Sequence, residues 1–108
     1  MAEPEIFRML RVLAPERRQR IMVQLGEGPQ SAASVAEALS TPLSTVRSNL
    51  QVLEELGVVT AVREGRSKIY RRGENAQVLR IAGRPVLSIK SREGGEFVIS
   101  RPEEWLKR

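Results

Sequence analysis

One stretch of this sequence leaves little choice of structure: PLSTVRSNLQVLEELG, residues 42–57, opens on a proline and closes on a glycine. Leu43, Val46, Leu50 and Leu53 recur at intervals of three and four, so a helix gathers them on one stripe that must face a core. Thr41 is the expected N-cap, Pro42 the first helical residue, and Gly57 the left-handed residue that ends the helix. The opposite side has a different character. It begins with Ser44, Arg47, Ser48 and Gln51, carries Thr45 at its edge, and turns acidic at Glu54 and Glu55. Serine and threonine are at best neutral inside helices, so a helix that only fills a core has no use for them here.

The flanking segments give this helix its setting. Ile6, Met9, Leu10 and Leu13 define a short amphipathic helix over residues 4–13. Pro15 opens a second helix, with Ile21, Met22 and Leu25 as its stripe and Gly26 as its stop. The loop GEGPQ follows. Ser34 and Glu37 have capping-box spacing for a third helix through Leu39, with Ser31 as the alternative cap. Beyond Gly57, VVTAVREGRSKIYRR reads as two strands around a turn at Glu64-Gly65-Arg66. Residues 74–82 fit a short helix or a strand. RPVLSIKSREGGEFVIS predicts a second hairpin around Gly94-Gly95, with Leu87 and Ile89 alternating on one strand and Phe97 and Ile99 on the other. RPEEWLKR is a short terminal helix or tail.

The expected fold is therefore α+β, a winged helix-turn-helix with an additional C-terminal β-hairpin. Residues 1–82 form the winged helix-turn-helix with its N-terminal helix. Residues 83–108 carry the hairpin and tail, as part of the same domain or of a dimer interface. At 108 residues the chain is long enough for one well-cored domain.

Charge and composition narrow the function. The 18 basic and 13 acidic residues give a net charge of +5, which favours a polyanionic partner. With neither cysteine nor histidine, disulfides, thiolate metal sites and the commonest acid-base and metal-binding side chain are all ruled out. No metal and no cofactor are expected. A nucleophile-base pair and a glycine-rich phosphate loop are also missing, so the chain does not read as an enzyme. It has no apolar run of membrane-spanning length and no secretory signal, which makes the cytoplasm the expected compartment.

Double-stranded DNA is the polyanion that best fits the pattern. A recognition helix touches base edges with its N-terminal residues and returns to the protein body at its C-terminal end. Short hydroxyls at Ser44, Thr45 and Ser48 allow close approach, Arg47 suits guanine or phosphate, and Gln51 suits adenine. The basic hairpin that follows can lie along phosphate or in the minor groove.

SVAEALSTPLSTVRSNLQVLEELGVVTAVREGRSKIYR, residues 34–71, resembles the winged-helix core of the ArsR/SmtB-type repressors. The likeness lies in the small-residue recognition helix, the pattern LxVLEExGVV and an REGR wing. It implies groove-facing roles for Ser44, Thr45, Arg47 and Ser48, and wing roles for Arg63, Arg66 and Lys68. Asn49 stands where that pattern often has histidine. Metal sensing in the family uses Cys, His and carboxylates, and the first two are missing here. The resemblance also implies a homodimer.

The expected function is a sequence-specific DNA-binding transcriptional regulator, a homodimeric repressor, with helix 41–56 in the major groove and wing 58–72 on phosphate or in the minor groove. The alternative is a winged helix serving as a protein-interaction module or a non-specific architectural nucleic-acid binder. The sequence names no effector, and so short a chain leaves no room after the wing for a large ligand-binding domain.

Overall fold

A computed structural model describes residues 3–100; the terminal helix or tail expected at residues 101–108 lies outside them. In chain order the elements are α1 (Glu5–Leu13), α2 (Glu16–Leu25), β1 (Gln30–Ser31), α3 (Ala32–Leu39), α4 (Leu43–Leu56), β2 (Val59–Glu64), β3 (Ser67–Arg72), β4 (Ala76–Ile81), β5 (Arg84–Lys90) and β6 (Glu96–Ser100). Two antiparallel sheets result, ordered β1-β3-β2 and β4-β5-β6. The first is the wing of a winged helix-turn-helix. The second contains the expected hairpin, enlarged by β4. Residues 74–82, open between helix and strand in the sequence, resolve as that strand and its turns, and the 82/83 division falls in the β4–β5 turn.

One core serves both sheets. Leu13, Ile21, Val35, Val46, Leu50, Leu53, Val58 and Ile89 are all fully buried, and Ala76, Leu87 and Ile89 of the second sheet belong to the same cluster as the helices. The sheet registers explain this sharing. Ala76 opposes Ile89 and Ile89 opposes Phe97, while Val78, Leu87 and Ile99 form the next row, so these two rows give one face of β4-β5-β6 an apolar patch. Leu10 departs from its expected stripe and is 40% exposed beside Phe7 at 56%, leaving Met9 and Leu13 as the buried residues of α1.

Two helix ends differ from their sequence reading. Ser31, not Ser34, caps α3 and accepts from the Ser34 backbone N–H at 3.1 Å. Its pairing with Ile69 holds Ser31 extended, so the helix begins immediately after it. Thr41 does not cap α4: its hydroxyl donates to the Leu39 carbonyl at 3.0 Å, and Pro42 occupies the cap position with no side-chain bond. Gly26 stops α2 as expected, but its φ of −63° is right-handed and does not itself require glycine. Its lack of a side chain is required by a neighbour instead. A Cβ there would lie 2.7 Å from Val78 Cβ, so only glycine lets β4 close on the end of α2. Gly57 behaves as expected, with φ of +90° ending α4.

The start of α1 and the β5–β6 turn are clasped together. Glu93, in the β5–β6 turn, accepts from the Glu5 backbone N–H at 2.9 Å and so caps α1 from 88 residues away. Glu5 returns the contact: its carboxylate accepts from Ser91 Oγ and from the Arg92 backbone N–H, both at 2.8 Å. These bonds, Ser91 foremost, hold the Glu5 carboxyl below the usual glutamate range.

Two expectations follow. Gly26→Ala should destabilise the protein by about 1–3 kcal/mol through overpacking, and Val78→Gly in the same chain, which removes the Cβ and Cγ1 that the new methyl would meet, should recover part of that loss; additive effects in urea unfolding would contradict the contact. Because folding lowers the Glu5 carboxyl, its contribution is complete above the unfolded carboxyl value and disappears as pH falls through the folded one. Thermal unfolding should therefore show a smaller loss of Tm below about pH 4.5 for Glu5→Gln than for the parent, and parallel profiles would remove the clasp from solution.

Candidate nucleic-acid interface

The core stripe of α4 decides what its other face presents. With Val46, Leu50 and Leu53 fully buried, Ser44, Arg47, Ser48 and Gln51 are exposed, and Thr45 is half-buried at the edge. These are the residues assigned to the groove from sequence, and they form one row along the helix. Their partners differ. Ser48 Oγ donates to the Thr45 carbonyl at 3.0 Å, and Gln51 Nε2 donates to Glu55 at 3.3 Å. Arg47 has no side-chain partner among the described residues.

The start of α4 adds a second polar feature. Pro42 supplies no side-chain bond, and the first helical amide to find a backbone acceptor is Val46, which donates to the Pro42 carbonyl at 3.1 Å. The N–H groups of the first turn thus emerge uncapped beside Ser44 and Arg47. A helix N-terminus in this condition carries partial positive charge and suits a phosphate oxygen.

Polar bonds to α2 add to the packing that holds α4 in place. Arg18 on α2 donates through Nε to Asn49 Oδ1 at 3.0 Å and through NH1 to the Val12 carbonyl at 3.0 Å, while Asn49 Nδ2 donates to the Thr45 carbonyl at 2.8 Å. Asn49 is therefore turned toward the helices and fixes the turn that carries Thr45, Arg47 and Ser48. Its only sequence signal is a polar residue next to the apolar stripe.

The wing places its charges in register. Arg63 opposes Lys68, on the same sheet face as the Ala61–Tyr70 pair, and Arg66 lies in the turn beyond them. Like charges directly opposite one another repel, and here only one of the pair is compensated. Lys68 Nζ lies 3.2 Å from Glu54 of α4 and 5.3 Å from the centre of the Tyr70 ring. Chiefly through the Glu54 bond, Lys68 is held above the usual lysine range. Among the described residues Arg63 and Arg66 have no carboxylate partner. The Lys68–Glu54 contact also joins the wing to the far end of the α4 row, so Ser44, Arg47, Gln51 and the wing form one continuous surface.

Among the described residues no helix is long and apolar enough to cross a membrane. They also contain no group of three or more acidic side chains arranged to hold a metal ion.

Comparison with known proteins agrees with this architecture. The sequence model described as a helix-turn-helix domain matches residues 1–62. The HTH-type transcriptional regulator NmtR of Mycobacterium tuberculosis is 38% identical over 69 residues, 64% of this chain and 58% of that protein. The HTH-type transcriptional repressor SmtB of the same species is 38% identical over 63 residues, 58% of this chain and 47% of the repressor. This chain thus spans about half of the curated relatives it matches. A solved structure from Mycobacterium bovis, described as the homodimeric winged helix-turn-helix DNA-binding domain of a possible ArsR-family regulator, superposes with a TM-score of 0.60 at 35% identity, covering 63% of each chain. An ArsR-like transcriptional regulator from Rhodococcus gives 0.59 at 32% identity, covering 63% of this chain and 64% of the other.

Glu54→Gln should lower the Lys68 pKa toward the ordinary lysine value. Folding raises that pKa, so the pair is complete below the unfolded value and is lost as pH rises through the folded one. Titration of the Lys68 Nζ resonance by NMR reads this directly, and an unchanged midpoint would show that the two side chains do not pair in solution.

Proposed function

Because the chain belongs to the helix-turn-helix domain family, whose sequence model spans more than half of it, we propose that it is a sequence-specific DNA-binding transcriptional regulator acting as a homodimeric repressor. The observation that carries this reading is Arg47, without a side-chain partner among the described residues, beside the uncapped first turn of α4. Together they offer a guanidinium for a base edge and backbone N–H groups for the adjacent phosphate. Ser44, Thr45, Ser48 and Gln51 complete the groove-facing row. Arg63 and Arg66 serve the phosphate backbone or minor groove from the wing, and Lys68 sets the angle of the wing while adding its own charge.

A second copy is the partner proposed for α1. Phe7 and Leu10 are exposed on neighbouring turns of that helix, an apolar pair that self-association would cover. The relative from M. bovis is described as homodimeric. Two α4 helices related by a two-fold axis would read half-sites about 34 Å apart, one turn of duplex. Such a regulator works where the chromosome is, in the cytoplasm, by occupying a promoter.

A non-specific architectural binder is the second reading. What favours it is that Ser48 and Gln51 already have hydrogen-bond partners within α4, which leaves fewer free groups to discriminate bases.

Selection of bound duplexes from a random pool, followed by binding titrations at several salt concentrations, separates the two. Arg47→Ala should cost about 1–3 kcal/mol on the selected site while leaving a scrambled duplex nearly unaffected. Arg66→Ala should weaken both alike and reduce the slope of log K against log salt by about 1. Equal affinity of the parent for selected and scrambled duplexes would leave only the architectural reading.

A further inference from the structure

The cationic surface of the hairpin has two ends with different surroundings. Arg63, Arg66 and Lys68 lie at the tip. Arg71 opposes Thr60 four residue pairs back from the last pair at the tip, or about 14 Å at 3.4 Å per pair. There Arg71, Arg72 and, from the β5–β6 turn, Arg92 line an open cavity of about 780 Å³ between the base of the wing, the loop after α2 and the β3–β4 turn. Much of the remaining wall is glycine backbone, including Gly57 and Gly73. Glu74 also lines the cavity, and the Arg92 guanidinium lies 3.6 Å from the Glu5 carboxylate beside it.

Two details distinguish this place from a solvated basic edge. Arg72 is fixed, donating through NH1 to the Ala76 carbonyl at 3.0 Å. Asn75, which also lines the cavity, has a buried Oδ1 without a hydrogen-bond partner. Buried acceptors are nearly always satisfied, so this one calls for a donor.

We propose that the cavity is an effector site for a small phosphorylated metabolite, one that sets a phosphomonoester between Arg71 and Arg92 and offers a hydroxyl or N–H to Asn75. Guanidinium groups match phosphate oxygens in pairs. The volume lies in the range of pockets for molecules of nucleotide size. Glycine walls let a flat or polyhydroxylated body lie against the backbone. An occupant would touch the base of β3, whose other end carries Lys68, and the turn that clasps α1. Its differential affinity for two settings of the wing would change DNA affinity, and DNA would change its affinity by the same factor. That consequence rests on the proposed regulator function, whereas ligand binding itself does not.

Calorimetric titration of the full chain at 0.15 M salt with AMP, ribose 5-phosphate and adenosine tests the site without DNA. Both phosphomonoesters should bind one per chain and adenosine should not. Arg71→Ala and Arg92→Ala should each weaken AMP at least tenfold, while Arg63→Ala at the tip leaves it unchanged. Thermal unfolding of each variant shows that it is folded. Equal losses for Arg63→Ala and Arg71→Ala, or no binding by the parent, would overturn the proposal. So would a loss of duplex affinity in Arg71→Ala as large as that in Arg66→Ala, because the arginine would then belong to the DNA surface. Failure of the parent to bind any duplex would defeat the regulator reading alone.

Discussion

The burial of one face of α4 is the constraint on which the rest depends. Val46, Leu50 and Leu53 have no exposed surface, and burying each such side chain is worth about 1.5–3 kcal/mol. A rotation of the helix by one residue, about 100°, would expose this stripe and turn Arg47 toward the core. An unpaired guanidinium buried there would cost several kcal/mol more. The core thus permits one rotational setting, and that setting faces Ser44, Arg47, Ser48 and Gln51 outward together. The Arg18–Asn49–Thr45 bonds refine a choice already made by packing, holding the first turns of α4 against α2 and the end of α1.

Features with a local period were legible in the sequence. The α4 stripe, the left-handed stop at Gly57, the wing turn and the Gly94-Gly95 turn all follow from spacing and backbone preference over a few residues. Helix starts were less legible, since several residues compete for each cap and tertiary pairing chooses among them. β1 pairing selected Ser31 over Ser34. Thr41 was lost as a cap because α3 ends at Ser40 in the left-handed form, at φ of +49°, a conformation that a non-glycine residue does not advertise. The Thr41 backbone N–H then closes that end on the Ala36 carbonyl at 3.0 Å, and its hydroxyl turns back with it.

The exposed row of α4 was legible as a set of positions but not as a set of available groups. Exposure follows from the helical period, so Ser44, Arg47, Ser48 and Gln51 emerge where the wheel puts them. Whether each is free depends on neighbours. Ser48 and Gln51 find acceptors within α4 itself, whereas Lys68 finds Glu54 across 14 residues. Contacts of that second kind, like the Glu5–Glu93 clasp, join residues brought together only by the finished fold and leave no periodic trace in the chain.

The second sheet shows which of these long-range contacts matters most. An ion pair, Arg80–Glu27, ties β4 to the loop after α2 at 3.3 Å, but its side chains are 49% and 61% exposed. Exposed pairs of this kind contribute about 0–1 kcal/mol. Leu87 and Ile89, by contrast, are buried in the common core, at about 1.5–3 kcal/mol each. Val78 also fits against Gly26 with no room for a methyl group. Packing therefore fixes the sheet to the helices, and the charged contacts adjust its edges. Since the same apolar cluster holds α4, a shift of the second sheet reaches the exposed row of that helix through the core and not through the surface charges.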